Sequence, residues 1–197
     1  WKPNVISYSA AISACSKGQQ WERALEMFAY MREEGLERDI ISYSAAITAC
    51  SQGDEQWQWA LFLLVDMQKQ GLEPGLIGFS AAISACDKDG ELEKALELLR
   101  AMAQDGIEAN KFTYSAAISA CGDEWVRALE LLGTMMQDRI DADTLSYSAA
   151  ISACEKGGEW MKALELFNMM MQSRLEVDTI TCSATISACE KGGEWLK

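Results

Sequence analysis

Cysteine, the side chain here best suited to metal or redox chemistry, recurs at nearly constant spacing. Six of the seven cysteines close copies of one phrase, first written SYSAAISAC, and they lie at positions 15, 50, 86, 121, 154 and 189. Zinc sites and disulfides both need cysteines that lie close together. Cysteines one repeat apart on stacked helices lie about 10 Å apart, and the chain has neither a CxxC pair nor a histidine. We therefore interpret them as small buried thiols in a reducing compartment, with no metal site.

Catalytic chemistry has little support in the sequence. The chain lacks histidine, and we find no nucleophile-and-base arrangement and no glycine-rich phosphate loop. The carboxylates are scattered over faces that we predict to be solvated. We therefore expect no enzyme activity, no catalytic residue and no cofactor.

The elements that position these residues follow from the repeat itself. A period near 35 residues is typical of a solenoid, in which each repeat buries its apolar face against its neighbours. The spacing of apolar residues in each repeat predicts two helices, A and B. In the first copy their apolar faces comprise Tyr8, Ala11, Ile12 and Cys15 for helix A, and Trp21, Ala24, Leu25, Phe28 and Met31 for helix B.

The ends of these helices carry recognisable signals. We predict that Ser7 caps helix A, that Gly18 supplies the left-handed turn after it, and that Gly35 ends helix B. Arg139 and Arg174 stand where the fourth and fifth repeats would have that last glycine. If the backbone there is left-handed, arginine costs about 1 kcal/mol relative to glycine.

The fold class that we predict is all-α, an α-solenoid of helix-turn-helix repeats. One array covers 1–197, with repeats at 5–39, 40–75, 76–110, 111–143 and 144–178 and a partial repeat at 179–197. Because the last repeat lacks most of helix B, we expect the chain to be a fragment of a longer protein.

The net charge of the chain indicates which class of partner it can bind. The formal charge is −13, whereas nucleic-acid binders are usually basic. No copy, however, has Asp or Glu in the eleven residues from the repeat's start through its cysteine, for example 5–15 and 40–50. If helix A lines the concave face, that face is neutral and the acidic residues face outward. No apolar run is long enough for membrane insertion.

Two segments carry a resemblance to a known family. ALEMFAYMREEGLERD at 24–39 and ALELLRAMAQDGIEAN at 95–110 show Ala-Leu, Phe or Leu, and Met on helix B, then Gly with Asp or Asn four residues later. With the Tyr, Ile and Cys of helix A, this pattern resembles the pentatricopeptide repeat (PPR) over essentially the whole chain, and the monotonous phrases are similar to dinoflagellate PPR arrays. The tetratricopeptide repeat, a peptide binder, fits less well, because the Met, the Gly and the 35-residue modal spacing favour PPR.

The resemblance implies a right-handed superhelix that reads single-stranded RNA at one base per repeat. A residue in the first turn of helix A would act with the last residue of the repeat. The implied pairs are Ser9 with Asp39, Ser44 with Gly75, Ser80 with Asn110, Ser115 with Asp143, and Ser148 with Asp178, and Ser183 has no visible partner. In the family, a Ser–Asp pair is associated with guanine and a Ser–Asn pair is associated with adenine. The resemblance therefore implies a 5′-GNAGG-like target.

Two further sets of residues follow from the resemblance. The second position of each repeat would clamp the bases, and it is occupied by Ile6, Ile41, Ile77, Phe112, Leu145 and Ile180. Packing between repeats is the alternative role. Lysines two residues after the cysteine would contact phosphates, namely Lys17, Lys88, Lys156 and Lys191. Their alternative role is to stabilise a helix C-terminus through its dipole.

Other features are open to a structural interpretation. The first-turn residue is serine in all six copies, which also fits recent duplication or a small residue that lets helices pack. Tryptophans open helix B at positions 21, 57, 125, 160 and 195. We interpret them as packing residues rather than as base-stacking platforms.

Our functional prediction is sequence-selective binding of single-stranded RNA in organellar transcript processing, stability or translation. The location, chloroplast or mitochondrion, comes from the family only. The alternative is an acidic helical-repeat scaffold that binds protein partners in a large organellar complex. The net charge and the uniform serines favour the scaffold, whereas the Asp and Asn repeat ends and the lysines favour RNA.

Overall fold

The computed structural model describes residues 3–53 and 55–193, and every regular element in those ranges is an α-helix. The A helices are α1 (Val5–Lys17), α3 (Ile40–Cys50), α5 (Gly75–Lys88), α7 (Lys111–Ser119), α9 (Thr144–Lys156) and α11 (Thr179–Lys191). The B helices are α2 (Trp21–Glu33), α4 (Trp57–Lys69), α6 (Leu92–Gln104), α8 (Trp125–Gln137) and α10 (Trp160–Gln172). The predicted all-α fold of helix-turn-helix repeats is confirmed. Trp195 lies outside the described residues.

The helices form two compact units, unit 1 up to Ala109 and unit 2 from Asn110. In unit 1, α1 packs on α2 and α3, and α3 packs on α4 and α5. In unit 2, α7 packs on α8 and α9, and α9 packs on α10 and α11. Within each unit, therefore, helix A contacts both its own helix B and the next helix A, as expected for stacked repeats.

The core of each repeat is built from the same side chains. Helix A supplies one isoleucine and helix B one methionine, each fully buried at 0% exposure: Ile12, Ile47, Ile83, Ile118 and Ile151, and Met31, Met67, Met102, Met135 and Met170. Cys50, Cys86, Cys121 and Cys154 are buried beside them, whereas Cys15, Cys182 and Cys189 are partly exposed. Burial raises the pKa of the Cys50 and Cys86 thiols to about 12. These thiols are therefore protonated and unreactive at neutral pH.

The turn after helix A differs from our prediction in one detail. Gly18 keeps an ordinary φ of −85°, and the left-handed residue is the next one, Gln19, with φ 56°. In the fifth repeat the second glycine of the pair takes that conformation, Gly158 with φ 76°. The prediction for Gly18 was wrong because Gly18 is the C-cap residue and keeps a negative φ, so that the left-handed residue is the one that follows the cap.

The end of helix B is left-handed as predicted. Gly35, Gly71 and Gly106 have φ values of 67°, 74° and 71°. Arg139 and Arg174 adopt the same conformation, with φ of 59° and 55°. Because their Cβ atoms crowd the backbone there, these two arginines strain the repeats that contain them.

The tryptophan that opens helix B packs against the A–B turn of the following repeat. A Cβ added to Gly157 would lie 2.4 Å from Cδ1 of Trp125, and one added to Gly192 would lie 2.3 Å from Cδ1 of Trp160. Gly53 lies against Trp21 in the same way, with a Cβ-to-ring distance of 3.0 Å. These tryptophans are packing residues, and the facing glycines leave room for the indole ring.

Relief of the backbone strain at Arg139 and Arg174 should stabilise the protein. We expect Arg139→Gly and Arg174→Gly each to raise the free energy of unfolding by about 1 kcal/mol, which corresponds to a rise of about 2–4 °C in Tm at this chain length. Thermal unfolding followed by circular dichroism measures the change. Arg127→Gly, at an exposed helical position in α8, is the control and should destabilise by about 1 kcal/mol. If Arg139→Gly lowered the free energy of unfolding, the prediction that Arg139 is strained would be wrong.

The contact between Gly157 and Trp125 predicts a substitution of opposite sign. Gly157→Ala should destabilise unit 2 by about 1–3 kcal/mol, because the new methyl overlaps the indole. Gly133→Ala is the matched control, since nothing lies within 4 Å of its added Cβ. That change in the interior of α8 should stabilise by about 1 kcal/mol. Urea denaturation of both variants measures the difference, and equal effects would show that the ring does not require the glycine.

Candidate nucleic-acid interface

The last residue of a repeat caps helix A of the next repeat. Asp39 Oδ1 accepts a hydrogen bond from the Ser42 backbone N–H at 2.8 Å, and Asp143 Oδ1 accepts one from Ser146 N–H at 3.0 Å. Asn4, Asn110 and Asp178 cap α1, α7 and α11 in the same way. Our assignment of Ser7 as the cap was wrong, because Ser7 lies three residues inside the helix and donates to Asn4.

In unit 1 the first predicted reading pair is in direct contact. The Ser9 hydroxyl lies 2.9 Å from the Val5 carbonyl oxygen and 3.3 Å from Asp39 Oδ1. Ser9 is only 4% exposed. One repeat's first-turn serine is therefore hydrogen-bonded to the cap of the next helix A, although the two residues are thirty positions apart in the sequence.

In unit 2 a second hydroxyl stands between the members of each predicted pair. Ser115 Oγ lies 2.8 Å from Ser146 Oγ, which donates to Asp143 Oδ1 at 2.9 Å. Since Ser146 gives its single proton to the carboxylate, Ser115 must donate to Ser146. Ser148 meets Thr181 in the same arrangement.

The carboxylate at the end of this second arrangement is stabilised in its charged form. Thr181 Oγ1 donates to Asp178 Oδ1 at 2.6 Å. The hydroxyl and backbone N–H of Thr181 together lower the pKa of Asp178. We call these hydrogen-bonded sets of first-turn serine, intervening hydroxyl and capping carboxylate the hydroxyl relays.

The remaining predicted reading residues are placed differently. Gly75 is the first residue of α5, where its φ is 58° and Pro74 takes the cap position without a side-chain bond. Its predicted partner Ser44 is partly buried. Ser80 lies in unit 1 and Asn110 in unit 2. Ser183 is exposed on α11.

The predicted clamp residues are all exposed. Ile6, Ile41, Ile77, Phe112, Leu145 and Ile180 have exposed fractions of 75%, 62%, 66%, 62%, 56% and 68%. Each precedes the first-turn serine by three residues, so the two side chains share a helix face. Packing between repeats, the alternative role that we considered, does not bury them within either unit.

The predicted phosphate-binding lysines divide into two groups. All four side chains are exposed, but two of them also have a partner within their unit. Lys88 donates to the Gln52 carbonyl at 2.8 Å, and Lys191 forms an ion pair with Glu155 at 2.6 Å. The Lys191 ammonium lowers the pKa of Glu155. All four lie at the end of helix A opposite the clamp residues, about 16 Å from them at the rise of an α-helix.

The chemical character of the face follows from these contacts. The proton of Ser115 is committed to the relay, and the carboxylate of Asp143 can only accept, so this pair offers acceptors to a ligand. The neighbouring Leu145 offers an exposed apolar surface. Such a site suits a flat ligand with N–H donors along one edge and an apolar face.

The described residues contain no group of three His, Cys, Asp or Glu side chains arranged to hold a metal ion. No described helix is long and apolar enough to span a bilayer.

Sequence reasoning missed the intervening hydroxyls of the relays, Ser146 and Thr181. The available signal was a Ser or Thr three residues after each Asp or Asn repeat end, the spacing of a reciprocal cap. The prediction for Ser7 gives this hydroxyl the role of the cap itself.

Comparisons with known families identify three matching segments. A model of the PPR repeat family matches 3–52, a model of the pentatricopeptide repeat domain matches 62–124, and a model of the PPR repeat matches 145–175. No curated protein matches the sequence.

Solved structures with the same fold include PPR10 from maize, with a TM-score of 0.79 and 25% identity over 98% of this chain and 28% of that one. PPR10 in complex with an 18-nt psaJ RNA element matches with a TM-score of 0.71 and 24% identity, over 98% of this chain and 27% of that one. The PPR domain of Arabidopsis thaliana protein-only RNase P 1 in complex with tRNA matches with a TM-score of 0.76 and 14% identity, over 92% and 96%. This chain thus spans little more than a quarter of PPR10.

The capping role of Asp143 can be separated from any role in ligand recognition. Asp143→Ala removes the acceptor for Ser146 and should lower the free energy of unfolding by about 1 kcal/mol. Asp143→Asn keeps a capping oxygen, and Asn caps helices as well as Asp does. The free energy of unfolding of Asp143→Asn, measured in urea, should therefore be close to that of wild type. Equal destabilisation by both changes would mean that the negative charge, rather than the cap, stabilises α9.

Proposed function

Because this chain belongs to the pentatricopeptide repeat family, we propose that it binds single-stranded RNA along its A helices. The observation that carries the proposal is the apolar side chain at the second position of each repeat, from Ile6 to Ile180, all more than half exposed. An exposed isoleucine, leucine or phenylalanine at the same position of every repeat contributes little to folding. It offers an apolar contact for an unstacked base.

The chemistry of base selection supports guanine at three repeats. The pairs Ser9 with Asp39, Ser115 with Asp143, and Ser148 with Asp178 present acceptors, and the pairing edge of guanine offers N–H donors. Asn110 has an amide that can donate to a ring nitrogen of adenine. Gly75 offers no side chain, so the second repeat does not distinguish among the bases. The proposed target is 5′-GNAGG-3′, read in the same direction as the protein chain.

The structural relatives support RNA as the class of ligand. PPR10 and the PPR domain of protein-only RNase P 1 are each described as RNA complexes. A role in transcript processing, stability or translation, in a chloroplast or mitochondrion, extends the proposal by family analogy. Lys17 and Lys156, both exposed, are the proposed phosphate contacts. With few cations on this face, we expect modest affinity with a shallow salt dependence.

A protein-binding scaffold is the second candidate function. The net charge of −13 favours it, because a phosphate backbone gains little from an acidic surface. In this alternative the exposed A-helix residues contact protein, and RNA of any sequence binds negligibly.

Titration with labelled RNA tests the proposal. We expect an RNA containing GNAGG to bind at least tenfold more tightly than a shuffled RNA of the same composition, since one mismatched base contact costs about 1–3 kcal/mol. Fluorescence anisotropy at several salt concentrations measures both affinities. Equal and negligible binding of both RNAs would remove RNA from the proposed function and favour the scaffold.

Two variants sharpen the test. Asp143→Asn, which retains the cap, should move the preference at the fourth base from guanine towards adenine. Ile41→Ser should weaken binding to every RNA, and because Ile41 is 62% exposed, it should leave the unfolding curve unchanged. Glu165→Gln, on the outer side of α10, is the control and should bind RNA no more weakly than wild type.

A further inference from the structure

The third residue after each repeat end is a hydroxyl wherever that repeat ends in Asp or Asn. In chain order these hydroxyl residues are Ser42, Thr113, Ser146 and Thr181, after Asp39, Asn110, Asp143 and Asp178. The second repeat ends in Gly75 instead, and the third residue after it is Gly78. The hydroxyl and the polar repeat end occur together, which indicates that the two side chains act together. We call this residue the third-position hydroxyl.

Third-position hydroxyls form two different sets of hydrogen bonds. In α3 and α7 the hydroxyl accepts from the backbone N–H of the capping residue, from Asp39 at 2.9 Å and from Asn110 at 3.4 Å. It completes a reciprocal cap there. In α9 and α11 the hydroxyl lies instead against the first-turn serine of the preceding repeat, and in α9 that serine is Ser115, at 2.8 Å. This contact is not needed for the cap, because a backbone N–H of α9 already donates to the capping carboxylate at 3.0 Å.

The two hydroxyls of the relays do not reach the surface. Ser146 and Thr181 are both 0% exposed. A buried hydroxyl is stable only when it is hydrogen-bonded, and each of these donates to a capping carboxylate and lies against a first-turn serine. Ser115 keeps a small exposed surface, and Asp143 is partly exposed. Ser146 can therefore affect a ligand only through the two reading residues that it joins.

The relay determines which hydrogen-bonding groups a base meets in the fourth repeat. Because Ser146 takes the proton of Ser115, the lone pairs of Ser115 and Asp143 remain, and both residues accept. The pairing edge of guanine offers N–H donors to them, whereas the ring nitrogen on the pairing edge of adenine is itself an acceptor. If the Ser115 proton were not taken, the hydroxyl could rotate and donate to that ring nitrogen. The relay therefore removes a contact that would favour adenine.

We propose that Ser146 and Thr181 are positioning residues that set the base preference of the fourth and fifth repeats. Each holds the proton of the preceding first-turn serine away from the base, and so strengthens the preference for guanine over adenine. The inference rests on the proposed function, and it adds a buried third residue to each of these two reading pairs. The first repeat is the contrast within the same chain. It has the same kind of pair, Ser9 with Asp39, but Ser42 donates to the Asp39 carbonyl at 2.8 Å, so its proton goes to the backbone.

Two labelled RNAs that contain GNAGG and differ only at its fourth base, guanine or adenine, test the proposal. Fluorescence anisotropy gives the ratio of the two affinities. For Ser146→Ala we expect this ratio to fall about fivefold relative to wild type, the equivalent of one neutral hydrogen bond, while the same ratio at the fifth base stays unchanged. Ser146→Thr should keep the wild-type ratio, because Thr181 forms the same contacts in the next repeat. An unchanged ratio in Ser146→Ala would overturn the proposal.

Ser42→Ala is the matched control in the first repeat. Like Ser146→Ala, it removes a hydrogen-bonded hydroxyl at a helix start, so both variants should have a lower free energy of unfolding than wild type. The guanine-to-adenine ratio at the first base should nevertheless stay unchanged, because the Ser42 proton is given to the backbone. If Ser42→Ala lowered that ratio as much as Ser146→Ala lowers the ratio at the fourth base, the hydroxyl would act through the cap alone, and the proposal would be wrong.

The relay can also be tested without RNA. Thr181→Val removes the hydroxyl and keeps a branched side chain of similar size. Because the Thr181 hydroxyl is the largest cause of the lowered pKa of Asp178, the pKa of that carboxyl should rise in the variant. An NMR pH titration of Asp178 in the 197-residue chain measures the change, and an unchanged pKa would overturn the proposal whether or not RNA binds. A raised pKa together with negligible binding of every RNA by wild type would remove the proposed function, and the base preference with it, but not the relay.

Discussion

The rest of the structure depends on one hydrogen bond, the N-terminal cap of helix A. It joins the start of each helix A to the side chain that ends the preceding repeat. A carboxylate or amide oxygen accepts from the backbone N–H of Ser42, Thr113, Ser146 or Thr181. Free N–H groups at a helix start need such a partner. The cap fixes where each helix begins, and therefore which side chains occupy its first exposed turn.

The distribution of charge along the chain also depends on these caps. The first turns of all six A helices lack acidic residues, so the capping carboxylates are the negative groups nearest to that face. Each capping carboxylate already accepts hydrogen bonds from the helix that it caps, which partly offsets its charge. An acidic chain can therefore present a nearly neutral A-helix face, because the B helices are nearly balanced in charge and the excess of carboxylates lies in the turns and at the repeat ends.

The period, the helix types and the buried Ile, Met and Cys positions could be predicted from sequence, because periodic apolar residues specify a buried face. The cap could not be assigned reliably, since Ser7 and Asn4 are both good capping residues and their roles depend on one residue of register. The same register error put the left-handed turn on Gly18 rather than Gln19. The exposure of Ile41 and Phe112 depends on how neighbouring helices rotate, which no single repeat encodes.

The packing of Trp125 on Gly157 and of Trp160 on Gly192 has a consequence for how such arrays grow. The ring and the glycine that accommodates it belong to successive copies, so a copy such as the fifth, with Gly157 and Trp160, carries one half of each of two joints and completes neither alone. Duplication of a whole copy reproduces both halves and creates a new joint that fits at once. This shared joint favours the spread of near-identical copies without any demand from a ligand.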